Sequence, residues 1–153
     1  MAKEKYEIIN AKTFSEARSL ISKAKEKIIF SSNDDDLIRQ ILEKEKISVL
    51  LLNQKQRKPK VKQEDSGLNH ILAKLAKEKN IAIGINLDEI LSSKGKEKAE
   101  ILSKVKQNIK LCSKAKLRMI FISLEKDLKN KKDPYDLKSL ASALGMPTWM
   151  LIP

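Results

Sequence analysis

Two rhythms alternate along the chain: apolar positions three and four apart, and short runs in which nearly every position is apolar. Their junction is plainest from Asp65 to Asn86, D-S-G-L-N-H-I-L-A-K-L-A-K-E-K-N-I-A-I-G-I-N. Leu68, Ile71, Leu72, Leu75 and Ala76 fall at i, i+3, i+4, i+7 and i+8, one apolar face of a helix. Ser66 or Asp65 is placed to cap it, because a short side-chain oxygen accepts the N–H groups of a first turn. The helix gives out near Asn80. Ile81-Ala82-Ile83-Gly84-Ile85 follows, a run suited to a strand covered on both faces.

The same alternation organises the rest. Tyr6 to Ile9 starts a sheet, and Thr13-Phe14-Ser15-Glu16 reads as a capping box before a helix with Ala17, Leu20, Ile21 and Ala24 on one face. Lys27 to Phe30 is a second strand. Asp34-Asp35-Asp36 opens the next helix, where carboxylates favour the positive end of the dipole, and Leu37, Ile38, Ile41 and Leu42 form its core face. Ile47 to Leu52 is the third strand. Asn53 to Gln63 breaks the rhythm, with five positive charges, a proline and no acidic residue, so it reads as an exposed loop. Leu87 to Leu91 is a short helical turn, Ser92 to Lys96 a second loop, Glu97 to Lys114 a long helix and Met119 to Ile122 a strand. Asp133-Pro134-Tyr135-Asp136 starts a helix, with Leu137, Leu140, Ala141 and Leu144 as its apolar face and Gly145 and Pro147 as its stop. Trp149 to Ile152 is placed as a last strand.

Strand and helix in strict alternation predict a parallel α/β sheet. Loops leaving the strand C-termini, at Asn53, Asn86 and Ser123, would gather on one rim, where such folds bind ligands. The 153 residues fit one domain spanning 1–153, long enough for a continuous core but short for a closed eight-stranded barrel of ~250 residues.

Charge sharpens the picture. The formal net charge is +12, which points to a polyanion, nucleic acid being the commonest, although a solvated Lys-rich surface has the same composition. Arg18, Arg39, Arg57 and Arg118 are the only arginines. Lysine is a point charge, so contact with phosphates is expected ahead of reading of base edges. The N-terminus has no secretory pattern and no run of ~20 apolar residues occurs, so the expected location is cytoplasmic.

Candidate chemistry is sparse. His70 is the only histidine, so a His-rich metal site cannot be built, and no G-x-S-x-G, P-loop or G-x-G-x-x-G occurs. Asp34, Asp35 and Asp36 point in different directions on a helix and read as a cap, not a Mg²⁺ site. His70 lies on the polar side of its helix, in the first turn. There the N–H groups of Ser66 and Gly67, the dipole and the loop cations would form an anion site suited to phosphate. Lys106, Lys110 and Lys114 lie off the apolar stripe of the long helix and read as a solvated face. Cys112 lies on that stripe with Ile101, Leu102, Val105 and Ile109, as a core thiol.

A resemblance adds to this. D-S-G-L-N-H-I-L-A-K-L-A-K followed by I-A-I-G resembles the S-G-x-N-H-V-x-x-x-x-A signature of ribonuclease P protein component 3. Ile47 to Asn53 is similar to that family's strand before its basic loop. Lys106 to Lys114 resembles its R-x-N-x-x-L-C-x-K helix, and Lys132-Asp133-Pro134-Tyr135-Asp136-Leu137 with Leu144-Gly145-Met146 resembles its ending. The likeness runs from about Ile28 to Met146. The chain departs from the family at Gln63 and Glu64, where Arg is common, and at Ser123-Leu124-Glu125-Lys126, which replaces an S-S-G-A turn. It reads as a shortened member.

The resemblance implies an incomplete or open TIM-like α/β barrel that is not itself catalytic. Such a subunit binds and stabilises the ribonuclease P RNA, which removes the 5′ leader of precursor tRNA with its own Mg²⁺. The protein would need no cofactor. Implied partners are that RNA, a small α/β protein subunit, other ribonuclease P proteins and, indirectly, precursor tRNA. Residue by residue it points to His70, Lys79, Lys114 and Lys132. The charge reading adds Lys55, Arg57, Lys58, Lys60, Lys62, Ser66 and Gly67 as RNA contacts. Two other classes stand beside it: a metal-dependent phosphoesterase-like barrel enzyme, against which the single histidine counts, and an unrelated RNA-binding scaffold.

Overall fold

The computed structural model describes residues 6–54, 68–123 and 134–151. In chain order the elements are β1 (Tyr6–Asn10), α1 (Phe14–Lys23), β2 (Lys27–Ser31), α2 (Asp35–Lys44), β3 (Val49–Leu52) and α3 (His70–Glu78). Then come β4 (Ala82–Asn86), α4 (Leu87–Ser92), α5 (Gly95–Ala115), β5 (Met119–Ile122), α6 (Pro134–Ala143) and α7 (Thr148–Leu151).

The five strands form one sheet in the order β1-β2-β3-β4-β5, every pair parallel. That order never reverses, so crossovers of one hand keep placing their helices on the same side. A doubly wound sheet reverses and has helices on both faces; this one is wound singly, as in a barrel, and β1 and β5 remain unjoined. The predicted open, barrel-like α/β fold is the one observed.

Both faces of the central strands are buried, which is why their sequences are continuous apolar runs. Phe30, Leu50, Leu52, Ile83, Ile85 and Met119 belong to the main core with the helices. The alternate positions Ile29, Val49, Leu51 and Ile122 form a smaller inner cluster with Ala82 and Ile120 packed against it. Gly84 lies in the midst of that cluster. A Cβ there would stand 3.1 Å from Val49 Cγ1, 3.2 Å from Leu51 Cδ1 and 3.3 Å from Ile122 Cδ1, so an added methyl would make these three side chains give way by a few tenths of an ångström. The edge is less committed. In β1 only Ile9 is buried, and Ile8 is 48% exposed.

Caps fix the helix starts. Thr13 Oγ1 accepts from the Glu16 N–H at 3.2 Å, while the Glu16 carboxylate reaches back to the Lys12 N–H at 3.4 Å, so the box closes one residue early. Asp34 accepts from Asp36 and Leu37, and Leu37, Ile38, Ile41 and Leu42 are buried as expected.

Four expectations fail. The organising helix is capped by Asn69, whose Oδ1 accepts from the Leu72 N–H at 2.9 Å, and not by Ser66 or Asp65, because α3 begins only at His70. Ile71 and Leu20, placed on apolar faces, are 45% and 40% exposed. α3 packs between α2 and α5 through Leu72 and the small Ala73 and Ala76, and this narrow contact turns Ile71 outward. The loop at Ser92 to Lys96 is shorter than expected, since α5 already starts at Gly95. Finally, the run from Trp149 is helical through Leu151, with the Met150 N–H on the Pro147 carbonyl at 3.0 Å. Four apolar residues cannot distinguish a strand period from a helical one.

The inner cluster sets a stability test. Gly84→Ala should cost about 1–3 kcal/mol through overpacking, read as a drop in Tm of roughly 3–10 °C. An unchanged Tm would mean that the inner face is loosely packed.

Cys112 gives a second. It is fully buried, and burial pushes its thiol from 9.0 to about 12. The folded value lies above the unfolded one, so its contribution to stability is intact below pH 9 and lost as pH rises from there through 12. A thiol reagent at pH 8 should leave the native chain unmodified and label it in denaturant. Rapid native labelling would refute the core assignment.

Candidate nucleic-acid interface

Where the backbone ladder ends at the strand C-termini, polar side chains take over. β2 ends in Ser31, β3 is followed by Asn53, β4 ends in Asn86 and β5 is followed by Ser123. Asn86 caps α4 and must present Oδ1 to the Glu89 N–H, 3.2 Å away. Its Nδ2 is therefore turned to Asn53 Oδ1, at 2.7 Å, which leaves Asn53 Nδ2 to donate to Ser31 Oγ at 2.6 Å. The orientation of one cap thus propagates across three strands. Glu89 Oε2 accepts from the Gln54 N–H at 2.8 Å, and Ser123 Oγ donates to Asp88 Oδ1 at 2.7 Å. This network fixes the points at which the β3 and β5 connections leave the sheet.

The described part of this rim is polar and acidic, carrying Asp34, Asp35, Asp36, Asp88 and Glu89. Asp34 is engaged as a cap, and among the described residues no group of three or more His, Cys, Asp or Glu could hold a metal ion.

The opposite end of the sheet, where the strands begin, is basic. The helix-to-strand connections read Lys25-Glu26-Lys27, Lys44-Glu45-Lys46, Lys77-Glu78-Lys79 and Lys114-Ala115-Lys116-Leu117-Arg118. Asn80 and Lys116 take the left-handed conformation (φ 57° and 58°) that turns the chain out of α3 and α5 into β4 and β5. Lys77 Nζ donates to the Lys116 carbonyl at 2.9 Å, tying two of these turns together. At this end lies a cavity of about 760 Å³ lined by residues from the starts of all five strands, including Tyr6, Lys27, Lys46, Lys79 and Arg118.

The expected RNA contacts are therefore divided. His70 is the first residue of α3 and exposed, at the strand C-terminal end. Lys79, also exposed, caps the other end of α3, and Lys114 lies in the last turn of α5, so both belong to the opposite end. Nine helical residues separate His70 from Lys79 by about 13 Å along the axis. Lys55, Arg57, Lys58, Lys60, Lys62, Ser66, Gly67 and Lys132 lie outside the described residues.

Sequence reasoning missed the Ser31–Asn53–Asn86 chain, although each apolar run ends in Ser or Asn. It also missed Lys104 and Asn108, which are buried on α5 among Ile101, Val105 and Ile109.

Residues 7–148 match the family described as RNase P subunit p30. The chain belongs to that family. Ribonuclease P protein component 3 of Methanococcus maripaludis is 26% identical over 144 residues, 92% of this chain and 60% of that protein. The component 3 of Methanocaldococcus jannaschii is 33% identical over 94 residues, 60% of this chain and 39% of the relative. A chain in the cryo-EM structure of archaeal ribonuclease P with mature tRNA shares the fold, with a TM-score of 0.78 at 24% identity. That likeness covers 95% of this chain and 62% of the other. The chain thus spans about 60% of the length of the Methanococcus maripaludis relative.

The polar chain yields its own test. Asn53→Ala strands Ser31 Oγ and Asn86 Nδ2 together and should cost about 1–3 kcal/mol in urea unfolding. Ser123→Ala, which breaks one exposed bond, should cost less. Equal costs would mean that the chain across β2, β3 and β4 has no special role.

Proposed function

We propose that this chain acts as a non-catalytic protein subunit of ribonuclease P. It binds and stabilises the catalytic RNA that removes the 5′ leader from precursor tRNA. The observation that carries the reading is family membership across residues 7–148 of a chain with net charge +12. Mg²⁺ then belongs to the RNA, and the protein supplies cationic contacts that offset repulsion between phosphates as the RNA compacts. Its further partners are the small α/β subunit, other ribonuclease P proteins and, through the RNA, precursor tRNA. The compartment is the cytoplasm.

The contacts proposed for the RNA are Lys55, Arg57, Lys58, Lys60 and Lys62, the helix approach at Ser66, Gly67 and His70, and the basic residues Lys79, Lys114 and Lys132. Gln54, the described residue before Lys55, has its N–H anchored to Glu89. A phosphodiester there meets charge that the acidic rim itself does not provide.

Reconstitution tests this. With Mg²⁺ and precursor tRNA, the protein alone should not cut, and adding it to the cognate RNA should raise cleavage at sub-saturating Mg²⁺. Replacing Lys55, Arg57, Lys58, Lys60 and Lys62 by Gln should flatten the slope of log K against log salt by about two units or more, since each phosphate contact contributes roughly 0.7–0.9. Saturable cleavage by RNA-free protein, or no effect of the protein on the cognate RNA, would refute the reading.

A further inference from the structure

The strand N-terminal end carries more positive charge than its helices require. Cations in the last turn of a helix are stabilised by the dipole, and Lys44 and Lys77 fit that description. Lys44 also lies 5.4 Å from the Phe14 ring centroid, and Lys77 holds the Lys116 carbonyl. Lys27, Lys46 and Arg118 lie outside those last turns. Each lies beyond the end of the preceding helix, and all three are exposed. Together with Lys79 they line the cavity of about 760 Å³, where Glu26 is the one carboxylate of the lining among the described residues.

Their spacing identifies the class of ligand. Lys27 starts β2, Lys46 precedes β3, Lys79 precedes β4 and Arg118 precedes β5. Parallel strands lie about 4.8 Å apart, so the row crosses roughly 14 Å. A single phosphate meets at most two of these groups, whereas a nucleic-acid strand, with one charge every few ångströms, can meet all of them. Tyr6, paired in register with Lys27 and 37% exposed, adds an aromatic ring at one end of the row.

We infer that the cavity at the strand N-termini is a second RNA-binding surface, which holds a single strand by its phosphates without reading sequence. RNA as the occupant rests on the function proposed above; the row of charges does not. The surface lies at the end of the sheet opposite His70 and Gln54.

The probe is a 30-nucleotide oligouridylate, titrated against the full chain over a salt series. Lys27→Gln, Lys46→Gln and Arg118→Gln are combined in one variant, and its Tm is measured beside that of wild type to separate loss of binding from loss of fold. Wild type should bind, and the triple variant should lose about two units of salt slope and at least roughly tenfold in affinity at 0.1 M salt. The same slope and affinity in the variant, or no oligouridylate binding by wild type at low salt, would overturn the inference. So would competition by polyglutamate as effective as that by RNA of equal charge, which would assign the surface to an acidic protein. Should the cognate ribonuclease P RNA fail to respond to the protein while oligouridylate still binds through this row, the subunit reading falls and the second surface stands.

Discussion

The structure depends on β3 being apolar on both sides. All four of its residues are buried, Leu50 and Leu52 in the helical layer and Val49 and Leu51 in the inner cluster. Side chains of this size contribute about 1.5–3 kcal/mol each when fully removed from water. No position in the strand is left over for a polar group. β2 and β4 share the constraint less completely, and β1 escapes it, with only Ile9 buried. Chemistry is thereby expelled from the body of the sheet to its two ends.

The two ends differ because their connections do different work. A strand-to-helix turn must satisfy the free N–H groups of a first turn, which selects Thr13, Asp34, Asn69 and Asn86 and tolerates carboxylates near them. A helix-to-strand turn closes on carbonyls and the negative end of the dipole, which selects lysine. In a singly wound parallel sheet every turn of one kind falls at the same end. Small local preferences therefore add up to an acidic, polar rim on one side and a basic surface on the other. Lys27, Lys46 and Arg118 exceed what that rule alone supplies.

The sequence made the elements legible because period 2 and period 3.6 rarely collide in it. Leu37, Ile38, Ile41 and Leu42 are a helical stripe that no strand would use, and all four are buried. Difficulty arose where the window was short or the environment one-sided. Ile71 satisfies the i, i+3, i+4 pattern yet faces outward, because Ala73 and Ala76 permit a close approach that periodicity does not encode. Thr148 to Leu151 is too short to carry a period. The candidate site was legible as composition and illegible as place. His70 and Lys79 lie nine residues apart in one stretch, and nothing in the spacing says that a helix puts them at opposite ends of a sheet.

That separation constrains any ligand that both groups share. An enzyme active site converges, with acid, base and substrate atoms within hydrogen-bond reach of one another. His70 at one end of α3 and Lys79 at the other diverge by about 13 Å. Lys114, at the end of α5, is on the far side with Lys79. No small substrate touches both sets. A ligand that does must extend along the outside of the helical layer or contact the two ends through separate segments, and both demand a macromolecule. His70 and Lys79 can thus be engaged together only by a ligand that spans the length of α3.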